Sequence, residues 1–156
     1  MFYSIKSLIV NLTAVSALLT VPLSVLPAFS VEEIHINNST HQHYIGNTCE
    51  TLEDKTGYLN IYSIITDAHS TRFTRVKNEI PNFGFTKSVY WVRFSLYNKS
   101  LSEVSKFLEI GFPLLDRVEL YVFSYNKGKP ELIQNYITGR DLPFTKRIVK
   151  HRNFIF

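Results

Sequence analysis

The chain has 156 residues, 45% hydrophobic and 19% charged, with a formal charge of +4. That length suits one domain rather than two, and the balance suits a globular fold rather than a disordered one. The cations are scattered singly, so no nucleic-acid partner is expected. The single cysteine, Cys49, excludes an intrachain disulfide. It has no legible base partner and reads as a buried or incidental thiol. Twelve Phe and nine Tyr favour pleated, half-buried surfaces.

Residues 1–30 read as a signal peptide. Lys6 is the only charge before Glu32, and Leu8 to Leu26 is mostly apolar or small. Ala28-Phe29-Ser30 then gives a small-x-small cleavage site, with the cut placed between Ser30 and Val31. The rival reading is an uncleaved membrane anchor, since the apolar run approaches the ~20 residues a spanning helix needs. Nothing later in the sequence is long and apolar enough to span a membrane.

Residues 31–46 form a polar lead-in, read as loop or loosely paired chain. His41 and His43 could share one strand face, but two ligands without a third do not define a metal site, so no metal is expected. Residues 47–156 form the remaining domain. Thr48 to Glu53 predicts a first strand, and Glu53 to Gly57 a turn. Ile61, Ile64, Ile65 and Ala68 are spaced for a short helix with one buried stripe. Phe73 and Val76 suggest a brief strand.

The densest β-type run is Val89–Tyr97. Its alternation puts Tyr90, Val92, Phe94 and Leu96 on an apolar face, expected in the core. Trp91, Arg93, Ser95 and Tyr97 fall on the other face, expected to meet solvent or a ligand. Further strands are predicted at Phe107 to Ile110, Val118–Phe123 and Leu132 to Ile137. A hairpin loop is expected at Tyr125–Lys129, and another strand begins at Phe154. Short strands between turns predict an all-β sandwich or jelly roll with one short helix. A strand beginning at the last residues predicts that the final strands are missing, which would leave sheet edges unpaired.

The ordered pieces resemble one family. They are Leu52-Glu53-Asp54-Lys55-Thr56-Gly57, then Gly84, Tyr90-Trp91-Val92-Arg93-Phe94 and Asn98. Leu108-Glu109-Ile110, Pro113 to Val118 and Leu120-Tyr121 follow, and then Gly139 to Phe144, Arg147 and His151-Arg152. Together they resemble the second type of extracellular domain of bacterial seven-transmembrane receptors with diverse intracellular signalling modules, from about Leu52 onward. The resemblance implies a jelly roll similar to carbohydrate-binding modules. It also implies a periplasmic sensory role with a small-molecule or carbohydrate ligand, in full-length relatives that are membrane receptors. This sequence departs from that pattern in carrying no membrane helices or output module after the domain. Phe107 also stands where a Trp would be unsurprising.

Trp91, Arg93 and Tyr121 are the candidate ligand-binding residues. An indole stacks on a sugar face, and a guanidinium donates paired hydrogen bonds to hydroxyls or a carboxylate. The competing reading is that Trp91 is covered by a loop or the helix and Arg93 pairs with a structural carboxylate. Asp116, Arg117, Arg140, Asp141 and Arg147 are expected to anchor loops. No catalytic residue is assigned. There is no G-x-S-x-G, H-E-x-x-H or P-loop, and Glu53-Asp54 are adjacent and point to opposite faces of a strand. No cofactor is expected. The sequence therefore predicts an exported ligand-binding or sensory domain, with a structural or protein-interaction module, or a non-signalling receptor remnant, without a small ligand as the alternative.

Overall fold

The computed structural model describes residues 4–12, 31–66, 69, 71–126 and 129–156. Its strands in chain order are β1 (Ser4–Leu12), β2 (Glu33–Ile36), β3 (Glu50–Asp54), β4 (Thr74–Arg75) and β5 (Val89–Asn98). They continue as β6 (Glu109–Ile110), β7 (Arg117–Asn126), β8 (Lys129–Thr138) and β9 (Phe154–Ile155). One short helix, α1 (Ile61–Ile65), lies between β3 and β4. The described chain is thus mostly β, as the alternation predicts.

A large sheet runs in the order β4-β3-β5-β1-β7-β8, with β2 also paired to β5. β3 occupies one edge of β5 along Val89–Arg93, and β2 continues on it along Ser95–Asn98. β1 takes the other edge, from Val89 to Leu96, and pairs with β7 on its far side. A two-stranded sheet, β6-β9, is extended by reciprocal backbone bonds between Leu108 and Phe156, both 3.0 Å.

The core divides between the two faces of the large sheet. On one face Leu52, Trp91 and Phe123 pack with Ile61 and Ile64 of α1 and with Phe73. On the other, Val92, Phe94 and Leu120 pack with Ile34 and Cys49, and Leu108 and Phe156 of the small-sheet region close over them. The fold is therefore layered and sandwich-like, with β5 in its middle. Each large apolar side chain buried this way stabilises the fold by about 1.5–3 kcal/mol.

Helix α1 shows how weak local preference is completed by packing. Five residues are too few to hold a helix in water. Asn60 caps it, its Oδ1 accepting from the Ser63 N–H at 3.0 Å while Ser63 Oγ accepts from the Asn60 N–H at 3.0 Å. Ile61 and Ile64, three positions apart, are then both buried in the cluster that holds Trp91. The predicted extension to Ala68 falls outside the described residues.

Several expectations shift. The polar lead-in contains β2, whose Ile34 is buried against the β5 layer, while His41 and His43 lie exposed. The first predicted strand begins two residues later, because Gly46–Thr48 forms a 3-10 turn. Gly46 is required there, since a Cβ would stand 1.9 Å from the Glu79 carbonyl oxygen. The strand predicted at Phe73 and Val76 is Thr74–Arg75, and its flanking Phe73 and Val76 turn into opposite core layers. Phe107 lies outside β6 and is exposed.

The main correction concerns β5. Trp91, Arg93 and Ser95, expected on an open face, are all buried. The reason is position: β5 is a central strand, covered by α1 on one side and by the small-sheet region on the other. Tyr90, expected in the core, is only half-buried and stacks on Phe83 at 4.2 Å.

Residues 4–12 are extended and paired as β1. The rest of the predicted leader, including Ala28-Phe29-Ser30, lies outside the described residues.

Candidate functional site

Turn chemistry first sets the frame. Asp54 ends β3, and its carboxylate accepts from the Thr56 N–H (3.1 Å), Thr56 Oγ1 (2.8 Å), the Gly57 N–H (2.8 Å) and the Leu59 N–H (2.9 Å). Burial alone would raise its pKa. The hydrogen bonds from Thr56, Leu59 and Gly57 outweigh it, and the carboxyl is held below the ordinary aspartate value. This explains why the Leu52–Gly57 segment has its particular wording: Asp54 folds the chain back toward α1.

A second frame joins two distant turns. The Arg140 guanidinium pairs with the buried Asp116 carboxylate. The Arg140 N–H donates to the Leu115 carbonyl at 2.8 Å, and the Asp141 N–H to the Asp116 carbonyl at 3.1 Å. Gly139 sits between them at φ +150°, and a Cβ there would come within 2.1 Å of the Asp116 carbonyl oxygen. Asp141 thus takes part through its backbone. Arg147 donates from Nη1 to the carbonyls of His151 (2.5 Å) and Arg152 (2.7 Å). Its guanidinium also lies over the Phe154 ring at 4.6 Å. Arg117 is placed differently from the expectation. It opens β7 rather than anchoring a loop, and its Nε donates to Glu119 Oε1 at 2.6 Å.

Trp91, Arg93 and Tyr121 share one face of the large sheet, as alternation implies. Arg93 and Tyr121 stand in one row, both opposite position 9 of the intervening strand. Their surroundings differ. Trp91 is 1% exposed and part of the α1 core. Arg93 donates from Nε to Glu50 Oε2 at 2.7 Å and lies over the Phe73 ring at 4.0 Å. Glu50 is its register partner across β3-β5. Neither presents a free surface to a ligand.

Tyr121 is half-buried, at the margin of the same core. Its hydroxyl donates to Glu119 Oε2 at 2.5 Å. Burial, this hydrogen bond and the Glu119 charge all push the phenol pKa upward, with the nearby Arg117 opposing. The Arg117 side chain is 45% exposed while that of Glu119 is 9% exposed, so the cluster grades from solvent inward. An exposed Tyr62 on α1 lies close enough to act on Tyr121 electrostatically. In the Arg117-Glu119-Tyr121 row Arg117 is exposed, Tyr121 is half-buried and Glu119 is buried between them. A carboxylate beside an aromatic ring can accept paired hydroxyl hydrogen bonds while the ring covers an apolar face. Sequence reasoning passed over Glu119. Its two-residue spacing from Arg117 and Tyr121 was the available sign.

Cys49 is fully buried, and its thiol donates to the Gly46 carbonyl at 3.0 Å. Burial is the main cause that pushes it up to about 11. It is a core thiol, without nucleophilic character at neutral pH. Among the described residues no group of His, Cys, Asp and Glu could hold a metal ion, and no helix is long and apolar enough to cross a membrane.

The fold and this face define an all-β domain with a small polar and aromatic surface. Residues 46–156 match the 7TMR-DISM extracellular 2 family, and the chain belongs to that family. It is an extracellular sensory domain of seven-transmembrane receptors, and not a family of enzymes. No curated protein and no solved structure is significantly similar to the chain.

Proposed function

We propose that the chain is an exported, periplasmic sensory domain that binds a carbohydrate or another small hydroxylated ligand, with residues 1–30 serving as its export leader. The observation that carries the ligand reading is the Arg117-Glu119-Tyr121 row. It combines a guanidinium, a carboxylate and a phenol on adjacent same-face positions of β7, with Arg117 still open to solvent. Trp91 and Arg93 support this surface from within the core and do not touch the ligand.

Calorimetric titration of the full chain with neutral sugars and sugar acids tests this. Binding by at least one, weakened roughly tenfold or more by Glu119→Gln, is the expected result. Absence of binding across the panel would overturn the ligand reading. The alternative is a protein-interaction module with no small ligand, favoured by the closure of Trp91 and Arg93 under packing.

A further inference from the structure

On the path β4-β3-β5-β1-β7-β8, the pairs β4-β3, β3-β5 and β7-β8 are antiparallel. On this path only the two pairs made by β1 are parallel, while off it β2 also pairs parallel with β5. β5 and β7 consequently run in the same direction, one strand apart. A strand running opposite to both would make the whole path alternate. β1 instead follows them, and its register slips on both sides, between Ile5 and Leu8 against β5 and between Lys6 and Ile9 against β7. Parallel pairing is the slightly weaker arrangement, and an irregular register weakens it further.

The walls of this space specify what it takes. Trp91 and Phe123 line one face, and Val92 and Leu120 the other, all buried. A strand covered on both faces is apolar nearly throughout. Two polar atoms modify that rule. Among the described residues Trp91 Nε1 and Ser95 Oγ are buried without a hydrogen-bond partner, and they lie on the same face of β5. The strand that fits best would carry a polar group over that face.

We infer that the space between β5 and β7 is a strand-acceptor slot for an extended, mainly apolar segment of a partner polypeptide, running antiparallel to both, and that Ser4–Leu12 occupies it as a placeholder. Main-chain ladders on two edges supply the affinity, and the two core faces select for apolar side chains. Removal of an export leader would vacate the slot, which couples processing to strand capture. The inference does not rest on the proposed ligand reading, although Arg117, Glu119 and Tyr121 belong to the β7 wall of the slot.

The test uses the full chain with a protease site inserted between Ser30 and Val31, cut after folding. The probe is a nonapeptide of valine and threonine with one central asparagine, flanked by lysines and carrying a photo-cross-linker at one end. At up to about 1 mM it is expected to displace the N-terminal fragment. A label at the peptide's N-terminal end is expected to mark the Leu96 and Ser124 end of the slot. Retention of the fragment without peptide capture, or marking at the Val89 and Arg117 end, would overturn the inference. In the uncut chain, Ile9→Pro removes a backbone donor from β1. Hydrogen-exchange protection of β5 and β7 is expected to fall roughly tenfold or more and to recover on adding the peptide. Unchanged protection would contradict the slot. Should that variant not fold, the cut chain, already folded, still gives the answer.

Discussion

Trp91 and Arg93 on β5 and Glu119 and Tyr121 on β7 follow the same two-residue alternation on the same face of one sheet. On β5 the pair is closed: α1 and Phe73 cover it, and Glu50 neutralises the guanidinium across the strand register. On β7 Glu119 is as buried as Arg93, but Tyr121 is only half-covered and Arg117 beside them reaches solvent. Alternation assigns a face, but neighbouring layers decide whether that face is wet. At Arg93 the covering includes an opposite charge, since Glu50 stands at its register partner across β3-β5. Buried, the Arg93–Glu50 pair is held against the cost of desolvating both groups by its short hydrogen bonds and the ring of Phe73.

The comparison can be broken most severely at the closed half. Trp91→Ala removes the largest fully buried side chain and is expected to destabilise the domain by about 3–5 kcal/mol in urea unfolding. A loss below about 1 kcal/mol would mean that the indole is not packed under α1. Glu50→Ala leaves the Arg93 charge buried without this carboxylate, with an expected loss of about 3 kcal/mol or more. Restoring much of that stability with the double change Glu50→Leu and Arg93→Met would show that the pair serves packing, not binding.

Smaller effects sharpen the boundary. Asp54→Asn is expected to cost about 1–3 kcal/mol at neutral pH, because four donors face its carboxylate. The folded-state pKa of Asp54 lies below its unfolded value. Its contribution is therefore full above the unfolded value and is lost as pH falls through the folded one. Urea unfolding of wild type and Asp54→Asn should converge on acidification, and a gap that persists unchanged at low pH would contradict this. Tyr121→Phe removes one hydrogen bond at the open half and is expected to cost only about 0.5–1.5 kcal/mol while weakening ligand binding.

Much of the frame was legible in the sequence. The strands at Val89, Val118 and Leu132, the helix at Ile61 and the Gly139 turn all carry local signals, because alternation and turn residues act over a few positions. The Leu52–Gly57 turn was legible too, although the role of Asp54 within it was not. What stayed hidden was non-local. Nothing near Arg93 announces Glu50, 43 residues earlier, and nothing near Asp116 announces Arg140. The strand between β5 and β7 comes from the opposite end of the chain, from residues whose composition reads as a leader. Such pairings are decided by which layers cover which, and one sequence does not state that.

The claim that β5 is closed on both faces is tested most directly at Trp91, the only tryptophan. Acrylamide quenching of its fluorescence in the native full chain is expected to be weak, with blue-shifted emission that moves to the red, and becomes readily quenched, only on unfolding. Strong quenching and red-shifted emission in the folded protein would show the indole at the surface and contradict the account.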